Sequence, residues 1–217
     1  MKLIRSVMAL GLVLGATAFV PADAEAALML RLTQDATVIT ITDNGAGDTS
    51  PAVGVVTFNG TIGTFDLVNV STGVGYPVLG SETDPWMDLN SINISSSTGG
   101  TLLIENIQDG YTALPGSFVM SIGGTTGGTV TYDAFANATL IDSLGPFSGG
   151  AFSDTGGGSV AVGTPYTLTQ AVTITHGTGL FTTSFDAELV APEPASLALF
   201  ALGLFGVGAT ARRRRNG

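Results

Sequence analysis

Apolar and polar residues alternate with a period of two along most of the chain. Tyr166, Leu168, Val172 and Ile174 share one parity, and Thr167, Thr169, Thr173 and Thr175 the other. Phe181, Phe185, Ala187 and Leu189 repeat the pattern, and Val38-Ile39-Thr40-Ile41-Thr42 is β-branched at every position. This is the signature of half-buried strands. Residues 28–33, 53–59, 63–71, 86–94, 101–107, 117–122 and 128–135 are further strand candidates, rich in the Thr and Val that suit a pleated surface. Turn residues separate the runs: Asp43-Asn44-Gly45, Gly123-Gly124, Gly127-Gly128 and Gly156-Gly157-Gly158. About ten short strands with such punctuation predict an all-β fold, a single antiparallel β-sandwich or jelly-roll-like domain. Residues 143–165, dense in Gly and Ser, read as a long loop. No part of the body has a helical period, and no internal repeat stands out.

The two ends break the pattern. Lys2 and Arg5 precede an apolar stretch over residues 7–20, and small residues then form two A-x-A sites, Ala22-Asp23-Ala24 and Ala24-Glu25-Ala26. That order predicts a secretory signal peptide over residues 1–26, and so export through the secretion translocon. At the other end, residues 196–211 carry no charge and are followed by Arg212, Arg213, Arg214 and Arg215. As a helix this run would span ~24 Å, a little under the ~30 Å hydrocarbon core of a bilayer. Thinning of the bilayer and snorkelling arginines can absorb the difference. Four arginines resist translocation, so they predict a cytoplasmic C-terminus and a transmembrane helix, with the body on the far side of the membrane. A buried core helix is the weaker reading, because Gly203, Gly206 and Gly208 would destabilise it in water.

Pro192-Glu193-Pro194 lies where body and tail meet. The two prolines fix φ, remove amide donors and bias their neighbours toward extended backbone. An extended, unpaired peptide suits a protease-like active site. The triplet, the Gly/Ala/Leu-rich run and the arginines resemble, in that order, the PEP-CTERM sorting signal of Gram-negative bacteria. The likeness covers residues 191–217. It implies recognition of Pro192, Glu193 and Pro194 by exosortase, a membrane-embedded cysteine transpeptidase, with Arg212, Arg213, Arg214 and Arg215 as the cytoplasmic stop. It further implies a precursor held in the inner membrane with a periplasmic body. Processing would then send that body to the cell surface or the medium, in bacteria that make exopolysaccharide and biofilm. Within the body, residues 42–48, 54–60 and 166–170 resemble a recurring group of such proteins, a likeness that implies no established activity.

Composition sharpens this picture once the ends are set aside. Only 11% of the 217 residues are charged, under half the ~25% of ordinary soluble domains. Residues 27–190 hold 14 acidic side chains and one basic one, Arg31, a net charge of −13 with no lysine. Such a surface avoids polyanions, nucleic acid included. The absence of cysteine excludes disulfides, thiolate metal sites and thiol catalysis.

Candidate chemistry in the body is sparse. Asp43, Asn44 and Asp48 gather oxygens in a Gly-rich turn, a possible Ca²⁺ site that lacks the ligand order of an EF-hand. A hairpin turn stabilised by Asx side chains is the competing reading. Glu82, Asp84 and Asp88 surround Pro85 and the sole tryptophan, Trp86, which could serve as a saccharide platform or as a plain anchor. His176, the only histidine, has no nucleophile elbow to serve and reads as a surface or strand-end residue. N-x-S/T triplets begin at Asn59, Asn69, Asn93 and Asn137 and carry no glycosylation expectation in a bacterial chain. The expectation is therefore a non-enzymatic exported surface or matrix protein, processed by exosortase. A Ca²⁺-dependent carbohydrate-binding adhesin is the alternative.

Overall fold

The computed structural model describes residues 27–113 and 116–192. The expected signal peptide and C-terminal helix lie outside the described residues. Ten strands follow one another: β1 (Leu28–Gln34), β2 (Thr37–Thr42), β3 (Val55–Ile62), β4 (Phe65–Val74), β5 (Trp86–Ser96), β6 (Gly100–Tyr111), β7 (Ser117–Ala136), β8 (Thr139–Ser159), β9 (Tyr166–His176) and β10 (Phe181–Val190). All pairings are antiparallel, in the order β2-β1-β6-β9-β7-β10-β5-β4-β3, with β8 paired to β7. Among the described residues there is no helix.

One strand folds this single sheet into a sandwich. The first part of β7 pairs β10, from Val119↔Val190 to Thr126↔Thr183. Its second part pairs β9, from Thr129↔Thr175 to Ala136↔Leu168. The handover falls at Gly127-Gly128, where the strand passes from one layer to the other, as corner strands do in packed sheets. One layer is then β2-β1-β6-β9 and the other β10-β5-β4-β3. The period-two side chains meet between them: Leu30, Leu32, Ile104, Val172 and Ile174 from one layer, Val68, Val70, Ile92, Phe185 and Leu189 from the other, all buried.

The sheet almost closes, since β3 at one end packs against β1 and β2 at the other. No backbone ladder joins them there, and side chains stitch the seam. Gln34 Oε1 accepts from the Thr64 amide at 3.0 Å, Asp48 Oδ1 from Thr57 N at 3.0 Å, and Asp43 Oδ2 from Gly54 N at 2.7 Å.

Residues 143–165 are not the expected loop. Most of them belong to β8, and the candidates at 117–122 and 128–135 fuse into the single strand β7. The glycines are there for close approach of backbone, a regular use of glycine inside strands. β8 turns at Gly149-Gly150, beside the stacked rings of Phe147 and Phe152, 4.8 Å apart. Its two ends then lie against each other. A β-carbon on Gly158 would strike the Ile141 carbonyl, and one on Gly156 would meet Leu144 and Asp142. The Gly157 amide donates to Asp142 Oδ2 at 2.8 Å. The glycine triplet thus closes an edge of the sandwich.

Candidate functional site

The C-terminal end of β10 carries two outward rows across the sheet. The outer row is Trp86–Val190–Val119–Gly157 and the next is Asp88–Glu188–Ser121–Thr155. Cross-strand partners share a face, so the rows face solvent together. One register further on, β5 bulges opposite Asp186, whose Oδ1 accepts from the Ser91 amide. Leu79 on one side and Asp154 of β8 on the other flank these rows. The result is an open groove of about 590 Å³.

The groove combines an indole at its rim with four carboxylates, Asp88, Asp154, Asp186 and Glu188. No cation balances them. Among the described residues the one basic side chain, Arg31, is held by both oxygens of Glu105 at 2.6 Å, on β1 and β6 of the other layer. The groove therefore repels anions and offers acceptors for hydroxyl donors beside an apolar ring face. Of the three acids flanking Trp86 in sequence, only Asp88 lines it. Asp154, Asp186 and Glu188 arrive from distant strands, and no local motif announces them.

Burial, and then the charges of Glu188 and Asp186, push Asp88 up to about 6, against the lowering effect of Asn90. A carboxyl raised in the folded state stabilises it below the unfolded value near 4, and that contribution is lost as pH rises through about 6. Asp88→Asn is expected to flatten this fall between pH ~4 and ~6 and to raise stability at pH 7 by ~1 kcal/mol, after discounting for water at a partly exposed group. Urea unfolding across that pH range measures it. An unchanged pH profile would contradict the assignment.

The 43–48 turn is built as a latch. Asp48 accepts from the amides of Asn44, Ser50 and Thr57 at 3.0, 2.9 and 3.0 Å. Asp43 accepts from Gly54 N and from Asn44 Nδ2. Asn44 adopts φ 54°, the left-handed conformation that Asn tolerates in turns. Both carboxylates thus face N–H donors. No group of three or more His, Cys, Asp or Glu side chains able to hold a metal ion occurs among the described residues.

His176 ends β9 but is buried, not on the surface. Its ring lies between Phe65 and Phe181, with centroids 5.4 and 5.9 Å away. Nδ1 meets Ser96 Oγ and Nε2 meets Thr183 Oγ1, each at 2.8 Å. Hydroxyls occupy both nitrogens, where a triad would place a carboxylate on one. Burial lowers the imidazole's pKa, which favours the neutral ring. Asn59, Asn69 and Asn93 form one outward row on β3, β4 and β5, which explains their shared N-x-S/T spelling: Asn and the hydroxyl two residues on both face outward.

The body ends beside the groove. Val190 pairs Trp86, and the Ala191 amide donates to the Pro85 carbonyl at 2.9 Å. Pro192 is exposed. Glu193, Pro194, Arg212, Arg213, Arg214 and Arg215 lie outside the described residues. A β-sandwich whose last strand runs straight into a Pro-Glu-Pro segment has the layout of a cargo domain with a C-terminal sorting tail. The PEP-CTERM protein-sorting motif matches residues 190–215, so the chain carries that signal, which implies export by the exosortase route. Comparison with curated proteins gave no match. Among solved structures, TmCBM61 in complex with β-1,4-galactotriose aligns over 66% of this chain and 90% of its own, at 12% identity and a TM-score of 0.40. A β-glucosidase from Kluyveromyces marxianus in complex with glucose aligns over 82% of this chain and 19% of its own, at 15% identity and a TM-score of 0.32. Likeness at that level carries no argument about function.

Proposed function

We propose that this chain is an exported, non-enzymatic surface or extracellular-matrix protein, delivered as a tethered precursor and released by exosortase. The match of the sorting motif to residues 190–215 carries the reading. In this scheme the signal peptide opens the export route, and residues 196–211 hold the precursor in the inner membrane with the arginines in the cytoplasm. The body stays periplasmic until the Pro-Glu-Pro segment is processed, and then joins an exopolysaccharide-rich biofilm. Changing Pro192, Glu193 and Pro194 together to alanine is expected to leave the melting temperature of the body unchanged and to block maturation. Mass spectrometry of the protein from its host would show the arginine tail retained. Normal maturation of that variant would refute the proposal.

The groove favours a second reading, a carbohydrate-binding module. Its open shape, its indole and its hydroxyl acceptors suit a neutral glycan, whereas its charge opposes an acidic one. The Asp43 and Asp48 carboxylates accept from amide N–H groups, so this reading is proposed without calling on Ca²⁺. Trp86→Ala is expected to weaken binding of a neutral oligosaccharide about tenfold, near the upper end of an aromatic contact. Titration calorimetry measures it, and equal affinity of variant and parent would remove the groove from consideration.

A further inference from the structure

We infer that the outward row Trp86–Val190–Val119, with Leu79 beside it, is a docking surface for the enzyme that processes the tail. The inference rests on the sorting reading above and on residues 196–211 lying in the membrane. The last tie of the body is the bond from Ala191 N to the Pro85 carbonyl. Only residues 192–195 separate Ala191 from the uncharged run. Fully extended, the path from Ala191 to Ser196 covers ~17 Å. Even a 100-residue domain has a radius of gyration of ~13 Å. An enzyme gripping Pro-Glu-Pro in that gap must therefore touch the exit end of the body.

What it meets there departs from the rest of the face. Trp86 and Val119 are each 37% exposed, and Val190 between them is partly exposed. One row back the same strands present Asp88, Glu188, Ser121 and Thr155. The outward Asn59, Asn69 and Asn93 stand further along the layer. Leu67, 40% exposed on β4 of the same layer, has Ser95 beside it on β5, whereas the apolar positions that adjoin one another across three strands lie where the tail leaves. Asp88 and Glu188 behind them disfavour an anionic lipid surface as the occupant, and the short tether favours the enzyme.

The test uses the full-length chain in a host that processes it. Val119→Glu is expected to slow conversion of precursor to mature protein about tenfold, with the body's melting temperature unchanged. Val119→Thr, close in shape to valine, should slow it by a smaller factor and keeps the test usable if glutamate disturbs folding. A flexible six-residue Gly/Ser spacer between Ala191 and Pro192 removes the enforced contact. With that spacer, the Val119 variants and the parent should mature at one rate. Variants that fold and mature at the parent's rate without the spacer would overturn the inference, as would a defect that the spacer does not abolish. Normal maturation after alanine replacement of Pro192, Glu193 and Pro194 would instead refute the sorting reading.

Discussion

Replacing Gly128 with alanine is expected to destabilise the body by ~3 kcal/mol or more, a lowering of the melting temperature by ~10 °C. At this position β7 changes partners from β10 to β9. A β-carbon would collide with the Thr175 carbonyl and press on the His176 ring. Backbone cannot step aside as a flexible side chain can. The Gly128 amide also donates to Thr126 Oγ1 at 3.0 Å, and that hydroxyl meets Thr183 Oγ1 at 2.7 Å, next in line to His176. Shifting the corner therefore strains a buried polar chain that ties β5, β7, β9 and β10 together. Gly124→Ala should behave alike, because its β-carbon would strike the Ser184 carbonyl and Phe185. Gly163 is the control: nothing lies within 4 Å of a β-carbon there. Alanine at 163 should be neutral or slightly stabilising, by up to ~1 kcal/mol, through a less flexible unfolded chain. Thermal unfolding of the three variants measures the contrast, and equal melting temperatures for 128 and 163 would sink the corner argument.

Glycine is also what hides part of this fold from its sequence. Apart from β7, which runs through Gly123-Gly124 and Gly127-Gly128 and joins two expected strands, the strands with β-branched or aromatic residues on alternate positions lie close to their expected bounds, because alternation reports directly which side chains enter the core. β8 was hidden. Its residues 145–158 carry few large side chains, so no period could appear, and glycine signals a turn as readily as a close approach. Likewise Asp43 and Asp48 were identifiable as turn acids, but the sequence did not show that their partners are the amides of Gly54 and Thr57 on β3. Trp86 is conspicuous in the sequence as the sole tryptophan. Glu188, Asp186 and Asp154 reach its groove through pairings of β10 with β5 and of β7 with β10 and β8, which are long-range facts. The sorting tail was readable because its signal is local: residue type and order along a few tens of residues, with no tertiary contact required.

Gln170→Leu is expected to cost ~3 kcal/mol or more, although leucine nearly matches glutamine in volume. Gln170 is fully buried, and its amide serves both layers. Nε2 donates to Tyr132 Oη and to the Ala187 carbonyl, each at 3.0 Å, and Oε1 accepts from Asn106 Nδ2 at 3.1 Å. Tyr132 Oη in turn donates to the Glu188 carbonyl at 3.0 Å. Leucine would leave Asn106 Nδ2 with only long contacts, at 3.3 and 3.4 Å, on a side chain whose Oδ1 already lacks a partner. A buried group left unpaired costs ~1–3 kcal/mol, and more than one is affected here. Tyr132→Phe removes a single link and should cost less. If the network acts as a unit, the double variant should lose less than the sum of the two single losses, by at least ~0.5 kcal/mol. Additive losses in urea unfolding would show independent bonds instead. The network lies directly under Ala187 and Glu188, the strand segment that carries the groove and the exit of the tail. Gln170→Leu should therefore also weaken any ligand held there, even though its own side chain never reaches the surface.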